Sequence, residues 1–318
     1  KSAMLAILLH DVGHGPFSHA LENLLMEDWH HEKISILLMN KINEEFDGEL
    51  TMALEMFQGK YHRKFFNQLI SSQLDVDRLD YLKRDSFFTG VSEGSVNTQR
   101  IISMMNVCDD ELVIDEKGVY SIENFLTARM FMYWQVYYHK TSALAEHLLV
   151  KILSRAKQLI SEGKSIEAYG NLKYFLYKTD FEKATEEDIN RFTQLDDTDV
   201  LSAIKTWQNA DDFVLSYFCR AVVQRKFPKT VFSSHPFDQK IIEEKTTKAN
   251  DFFGINNGEL LVEQISRTLL PYDTEKQTIY LLKKNGEKIK LEDAETQILS
   301  AHINQPTTKN ILYFPREL

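Results

Sequence analysis

The stretch Leu8-Leu9-His10-Asp11-Val12-Gly13-His14-Gly15-Pro16-Phe17-Ser18-His19 holds three imidazoles and one carboxylate within ten residues. Imidazole and carboxylate are ligands that suit first-row divalent metals, and a cation beside a buried carboxylate offsets the cost of taking its charge out of water. The apolar run before His10 reads as a helix, so His10 and Asp11 stand at its end, where a cation or an anionic substrate could be held. An isolated buried histidine is ordinarily satisfied by a hydrogen bond and does nothing chemical. Three histidines and an aspartate so close together outweigh that bland account, and the stretch is read as a metal site.

A second chemical stretch is Gln73-Leu74-Asp75-Val76-Asp77-Arg78-Leu79-Asp80-Tyr81-Leu82-Lys83-Arg84-Asp85. At helical spacing Asp77, Asp80, Tyr81 and Arg84 share one face, Asp85 lies at its margin, and Leu79 and Leu82 point the other way. A solvated charged face would look similar. Against that, Tyr81 lies amid the charges, and crowded aspartates destabilise a helix unless a cation or basic partner intervenes. Farther on, Arg129, Tyr133 and Tyr137 form a helical stripe, and the arginine on it points to the lining of a cleft rather than a core.

The elements that must position these residues are mostly helical. Residues 1–12 read as a helix ended by Gly13 and Gly15, with Pro16 in the first turn of the next. In that second helix Phe17, Leu21, Leu24 and Leu25 form the buried stripe, while His19 and Glu22, three apart, share another face. Trp29-His30-His31-Glu32 opens a third helix, with a core of Ile34, Leu37, Leu38 and Ile42. His31 and Glu32 fall at its N-terminus, where the dipole favours an anion; a solvated cap is the equal alternative. Residues 51–72 continue the helical pattern, with His62 at the surface. A Gly/Ser turn, a helix over 100–105 and a hairpin of 111–114 with 119–122, turning at Glu116-Lys117-Gly118, come next. Residues 124–160 read as one uninterrupted helix. More helices fill 161–250, where Arg225-Lys226-Phe227-Pro228-Lys229 reads as a solvated turn, with an anion contact as the alternative. Segments 279–283 and 288–291 flank Asn285-Gly286, a hairpin signal, and 310–314 adds a strand. The expected fold class is mainly α, a helical bundle with a smaller α+β C-terminal region, divided into 1–160, 161–250 and 251–318.

Composition bounds the function. With 318 residues, 43% hydrophobic and 26% charged, the chain has the make-up of a soluble globular protein of one large domain with an appendage, or of two. No run is long enough to span a bilayer, and the opening KSAMLAILL leads into His10-Asp11 rather than a cleavage site. Cys108 and Cys219 are far apart and lack metal spacing, which suits a reducing, cytoplasmic compartment. The net charge of −10 disfavours nucleic-acid binding, which draws on Lys and Arg. A small polyanion can still be bound where a metal and a few basic residues reverse the field locally.

With His10-Asp11 and Asp77 placed, the chain resembles the HD-domain phosphohydrolases, and within them the deoxynucleoside triphosphate (dNTP) triphosphohydrolase branch. The matching blocks are HDVGHGPFSHALE at 10–22, WHHE at 29–32, LDVDRLDYLKRD at 74–85 and TARMFMYWQVYYHK at 127–140. The resemblance implies that His10, Asp11 and Asp77 hold a divalent metal ion (Mg, Mn, Fe, Zn, Ni or Co). It implies that His14, Arg78 and Tyr81 hold phosphates or face the nucleotide, and that His19, supported by Glu22, acts at the scissile bond. His31 is implied as a further active-site histidine, Asp85 as the contact to the sugar 3′-hydroxyl, Arg129 as a phosphate contact, and Tyr137 as the residue that excludes a 2′-hydroxyl. A nucleotide activator between subunits of a homo-oligomer, dimer or tetramer, is also implied, with Arg100, Lys117, His139 and Lys140 as its contacts. The implied activity is hydrolysis of a dNTP to deoxynucleoside and triphosphate. Monophosphate or cyclic-nucleotide hydrolysis and a non-catalytic nucleotide sensor are the alternatives. The family pattern has a further histidine upstream of His10, and none occurs among the nine residues there; the expectation is that more chain precedes Lys1, and the alternative is that the chain binds metal poorly. Arg78 stands where the family has lysine, which keeps the charge but replaces a point charge by a planar fork.

Overall fold

The computed structural model describes residues 1–181, 183–294 and 305–318. Its helices are α1 (Ser2–Leu9), α2 (Glu22–Leu25), α3 (His31–Glu45), α4 (Thr51–Phe57), α5 (Lys64–Ile70), α6 (Val76–Thr89), α7 (Thr98–Met104), α8 (Val119–Met132), α9 (Lys140–Ser161), α10 (Gly170–Tyr177), α11 (Glu186–Phe192), α12 (Asp197–Trp207), α13 (Phe213–Val223) and α14 (Gln239–Phe253). The strands are β1 (Met105–Cys108), β2 (Glu111–Asp115), β3 (Lys229–Ser233), β4 (Glu263–Leu269), β5 (Tyr280–Leu282), β6 (Lys288–Lys290) and β7 (Thr307–Phe314). The fold is mainly α with a small α+β part, as the hydrophobic periodicity predicts. Among the described residues no helix is long and apolar enough to cross a membrane. Two compact units result: Lys1–His10, Leu38–His139 and Thr268–Thr308 form the first, and Asp11–Leu37, Lys140–Arg267 and Lys309–Leu318 the second.

In the first unit α6 begins where the Asp75 carboxylate accepts the Arg78 backbone N–H at 2.7 Å, which satisfies a donor the helix leaves orphaned. It ends at Gly90, whose φ of 72° is the left-handed conformation that glycine takes without strain. Leu79 and Leu82 enter a core with Ile122, Phe125, Leu126 and Met132 of α8 and Leu281 of β5. Each fully buried side chain of that size contributes roughly 1.5–3 kcal/mol, which holds α6 in one rotation and so fixes where its acidic face points.

Three expectations are corrected in this unit. The hairpin between 111–114 and 119–122 does not form. Instead β2 pairs backwards with β1, Met105 opposite Ile114 and Cys108 opposite Glu111, and turns on Asp109 and Asp110, both with positive φ. Aspartate tolerates that conformation better than most residues, but Asp-Asp is a weaker turn signal than Asn-Gly. Gly118 serves close packing before α8, since a Cβ there would stand 2.8 Å from Ile114 Cγ2 and 3.0 Å from Met104 Cβ. The helix predicted over 124–160 is broken: α8 stops at Met132, Tyr133–Tyr137 forms a π-helical turn, and α9 starts afresh at Lys140. No proline or glycine marks this break. The helix predicted over 51–72 is likewise two, α4 and α5, separated by Gly59 with φ 68°. Strands β1-β2-β5-β6 form one sheet, and the hairpin at Asn285-Gly286 forms as predicted, Tyr280 opposite Lys290.

The second unit is built on α9, whose Leu144, Leu148, Ile152 and Leu159 are buried at helical spacing and which packs on α10 and α13. Capping boxes start α11 (Thr185 with Asp188) and α12 (Asp196 with Asp199), each satisfying two orphan donors. The predicted strand near the C-terminus is β7, central in a sheet of order β3-β7-β4. The solvated turn expected at 225–229 is shorter than predicted, because Lys229 already pairs with Phe314 as the first residue of β3.

Candidate active site

His10 closes α1. Its Nδ1 lies 2.6 Å from the Ile7 carbonyl, a bond that assigns the hydrogen to Nδ1 and leaves Nε2 as the lone-pair nitrogen. That Nε2 stands 3.9 Å from Asp77 Oδ1, in the first turn of α6. An imidazole with its tautomer set by the backbone, opposite a carboxylate, is a donor pair suited to a divalent ion. Farther along α6, Tyr81 and Asp85 follow Asp77 at four-residue intervals.

The neighbouring face comes from α8 and its π turn. Tyr137 donates to Asp85 Oδ2 at 2.6 Å. Its ring meets Tyr133 edge-on at 5.1 Å and Tyr81 at 6.2 Å, and the Arg129 guanidinium lies 5.7 Å from the Tyr133 ring centre. Tyr137 is the last residue of the π turn, a feature frequent at functional sites. Burial, then the Asp85 bond, pushes the Tyr137 hydroxyl well above the ordinary range; burial, then Tyr133, does the same for Tyr81. Both are therefore neutral hydroxyls at any working pH. Nε and Nη1 of Arg129 are buried without a hydrogen-bond partner. Leaving a buried charged donor unsatisfied is costly, and a bound phosphate or carboxylate would complete it.

Two residues of α6 behave differently from expectation. Asp80 turns to solvent and pairs with Arg84 at 2.6 Å, so that half of the acidic face is a surface ion pair. Nη1 of Arg78 donates to the Asp75 carboxylate and the Ser72 carbonyl, which locks the start of α6 and leaves only its other N–H groups for a ligand.

In the second unit, Asp11 opens a loop rather than continuing a helix. The helix predicted over 17–25 is reduced to a 3₁₀ turn at Ser18–Ala20 and the four-residue α2. Phe17 and Ser18 both take positive φ, 55° and 52°, a strain of roughly 1–3 kcal/mol each. The Phe17 N–H, bonded to Asp197 Oδ1 at 2.8 Å, helps to hold them there. This turn brings His19 to His14 and His31: ring centres are 4.6 Å apart for His14 and His19, 5.0 Å for His19 and His31, and 4.1 Å for the stacked His14 and His31. Glu22 fixes the group. It accepts the His31 backbone N–H and lies 2.6 Å from His31 Nδ1, against 3.4 Å from His19 Nδ1. Its principal partner is thus His31, not His19 as the sequence spacing suggests, and the tertiary return of α3 is the reason.

Charge states follow from this packing. His14 is lowered to about 4, by burial first and then by the neighbouring His31 and His19, against the pull of Asp11. Glu22 is held at about 2: burial alone would raise it, but the His31 backbone N–H and the His31 and His19 side chains donate to it. His14 ordinarily titrates at 6.5 and Glu22 at 4.5. The unfolded chain therefore takes up the His14 proton first, and stability falls as pH drops from about 6.5 towards 4, with further loss below about 4.5 as the unfolded Glu22 is protonated. Thermal unfolding across pH 3–8 should show both steps; His14→Gln should flatten the upper one and Glu22→Gln the lower.

Gly13 sets the start of this cluster. Its N–H donates to Ser35 Oγ at 2.9 Å, and a Cβ there would collide with the His31 carbonyl and the Ser35 amide. Gly13→Ala should cost about 1–3 kcal/mol, the usual cost of overpacking. Chemical denaturation would measure it.

The remaining predicted residues are dispersed. Arg100 and Lys117 are both exposed, joined only by Arg100 Nη2 to the Lys117 carbonyl at 3.4 Å. His139 is the last residue of that segment of the first unit, and Lys140 begins α9 in the second. Among functional neighbours, Asp197 was invisible to local pattern, because its partner Phe17 is 180 residues away in sequence.

Residues 96–174 match the family model described as HD associated region. A crystal structure of the phosphohydrolase BT4208 from Bacteroides thetaiotaomicron is 41% identical, superposes with a TM-score of 0.91, and is matched over 99% of this chain and 79% of that one. This chain belongs to the HD-domain phosphohydrolases. It is also 33% identical to the uncharacterized protein YwfO of Bacillus subtilis, across 99% of this chain and 73% of that protein. The deoxynucleoside triphosphate triphosphohydrolase SAMHD1 homolog of Dictyostelium discoideum is 30% identical over 52% of this chain, which spans 36% of that protein. HD-domain phosphohydrolases are generally divalent-metal dependent, and the donor chemistry of His10 and Asp77, which face each other in the first unit, fits such an ion. Nitrogens of His14, His19 and His31, all within 4.8 Å of one another, form another group of metal-competent side chains.

Proposed function

We propose that this HD-domain phosphohydrolase hydrolyses a dNTP to the deoxynucleoside and triphosphate. The observation that carries the proposal is the Tyr137–Asp85 pair beside a guanidinium with buried, unmade hydrogen bonds. That combination suits a ligand with a sugar at one end and phosphates at the other. Asp85 would accept the 3′-hydroxyl, Tyr137 would occupy the space a 2′-hydroxyl needs, and Arg129 would hold a phosphate. The activity named for the Dictyostelium relative supports the same substrate class.

His10, Asp11 and Asp77 would hold the metal ion, which when bound supplies Lewis acidity towards the α-phosphate and eases deprotonation of water. His14, neutral at working pH, would hydrogen-bond to phosphate without adding charge, and His31, oriented by Glu22 through Nδ1, would in its doubly protonated form donate its Nε2–H to another phosphate oxygen. Arg129, with the N–H groups left to Arg78, would stabilise charge that builds on the phosphate oxygens, and Tyr81 would face the nucleotide. A water oxygen bonds to the α-phosphorus and releases its proton to solvent, the bond to the 5′-oxygen breaks, and His19, in its doubly protonated form, gives the Nε2 proton to that oxygen and is reprotonated from solvent.

An activating nucleotide belongs to the same proposal. Lys140 lines a cavity of about 460 Å³ with Lys229 and Arg316, cations that suit phosphates, and Arg100, Lys117 and His139 are the other proposed contacts in a cytoplasmic homo-oligomer. The test is a panel of dNTPs, ribonucleotides, monophosphates and cyclic nucleotides, singly and in pairs, with each divalent metal. Wild type should prefer dNTPs over ribonucleoside triphosphates, and Tyr137→Ala should narrow that preference by roughly 10-fold, the worth of one shaped contact. Equal turnover of both sugars, or turnover of monophosphates or cyclic nucleotides alone, would overturn the proposal.

A further inference from the structure

His14, His19 and His31 share one unit, and their ligand nitrogens lie within 4.8 Å of one another. Glu22 faces the Nδ1 atoms of His31 and His19 at 2.6 and 3.4 Å. Hydrogens on those Nδ1 atoms leave both Nε2 atoms with lone pairs, and a carboxylate behind an imidazole is the arrangement that orients histidines towards zinc. Nδ1 of His14 is buried with no hydrogen-bond partner, which suits a nitrogen that completes its valence with a ligand.

We propose that His14, His19 and His31 form a second divalent-metal site, selective for zinc-class ions, and that its occupancy silences hydrolysis by taking the Nε2 of His19. Tetrahedral zinc with Zn–N bonds near 2.0–2.1 Å brings its nitrogens to about 3.3 Å of each other. Rotation of His19, whose side chain is 69% exposed, supplies much of the closure. Three imidazoles favour zinc, copper, nickel or cobalt over magnesium or manganese, whereas His10 with two carboxylates accepts the harder ions. The two ligand sets therefore divide the metals, one supporting turnover and the other opposing it. The silencing part rests on the assignment of His19 as proton donor; the binding part does not.

The test uses Co²⁺ on the full chain, read by its visible bands and by equilibrium dialysis. Asp77→Ala should still bind one Co²⁺ per chain with the intense absorption of a tetrahedral, nitrogen-rich site. His31→Gln, and separately His14→Gln, should weaken that binding at least 10-fold while circular dichroism stays unchanged. With wild type and saturating Mn²⁺, added Zn²⁺ should abolish dNTP turnover in a titration that follows the displacement of this cobalt band. Loss of the tetrahedral band in Asp77→Ala, or its retention in both histidine variants, would overturn the site. A retained band with no zinc inhibition would overturn the silencing. Absence of dNTP turnover under every metal would count against the proposed function, and the cobalt titration would still decide the site.

Discussion

Asp77→Ala should lower kcat/KM for a dNTP by roughly 10³-fold and remove the activating metal, with the fold intact. Asp77 faces Nε2 of His10 at 3.9 Å, and its side chain is 36% exposed, so the substitution removes a ligand without opening a core cavity. Lewis-acid stabilisation by a bound divalent ion amounts to several kcal/mol at the transition state, and about 4 kcal/mol corresponds to a factor near 10³. The prediction is checked by steady-state kinetics alongside the Mn²⁺ content of the purified protein and its thermal midpoint. A protein that loses activity but keeps its Mn²⁺ would show that Asp77 is not a ligand. A sharp drop in thermal midpoint would show that it is chiefly structural.

His19→Gln should lower kcat by roughly 10²–10⁴-fold, the usual contribution of a positioned general acid, with little change in KM. A residue that donates a proton only as the bond breaks stabilises the transition state and not the bound substrate. The decisive control is a substrate analogue whose leaving alcohol is much more acidic than a 5′-hydroxyl. It no longer needs a proton donor, so the variant should approach wild-type turnover on it. An equal loss on both substrates would reassign His19 to phosphate binding. Because His19 is 69% exposed on its side chain, its replacement should leave stability nearly unchanged.

The sequence placed Tyr81 and Asp85 on one helix and Arg129 and Tyr137 on a second helical stripe, and the structure brings these four side chains into one group. The fold class and the β5–β6 hairpin were legible from hydrophobic periodicity and from Asn-Gly, which are local signals. What local pattern did not supply depends on distant chain. On a helical wheel Asp80 falls on the charged face and Asp85 only at its margin, yet Asp80 pairs with Arg84 in solvent while Asp85 meets Tyr137, 52 residues on. The strained Phe17-Ser18 turn needs Asp197, and the preference of Glu22 for His31 needs the return of α3. The π turn at Tyr133–Tyr137 carries no proline or glycine that would mark it in the sequence.

The central claim is cleavage between the α-phosphorus and the 5′-oxygen, and ³¹P NMR of dGTP hydrolysed in ¹⁸O-labelled water tests it most directly. Inorganic triphosphate carrying one ¹⁸O, with unlabelled deoxyguanosine as the other product, is the result predicted. Diphosphate or monophosphate products, or label in the deoxyguanosine, would contradict it.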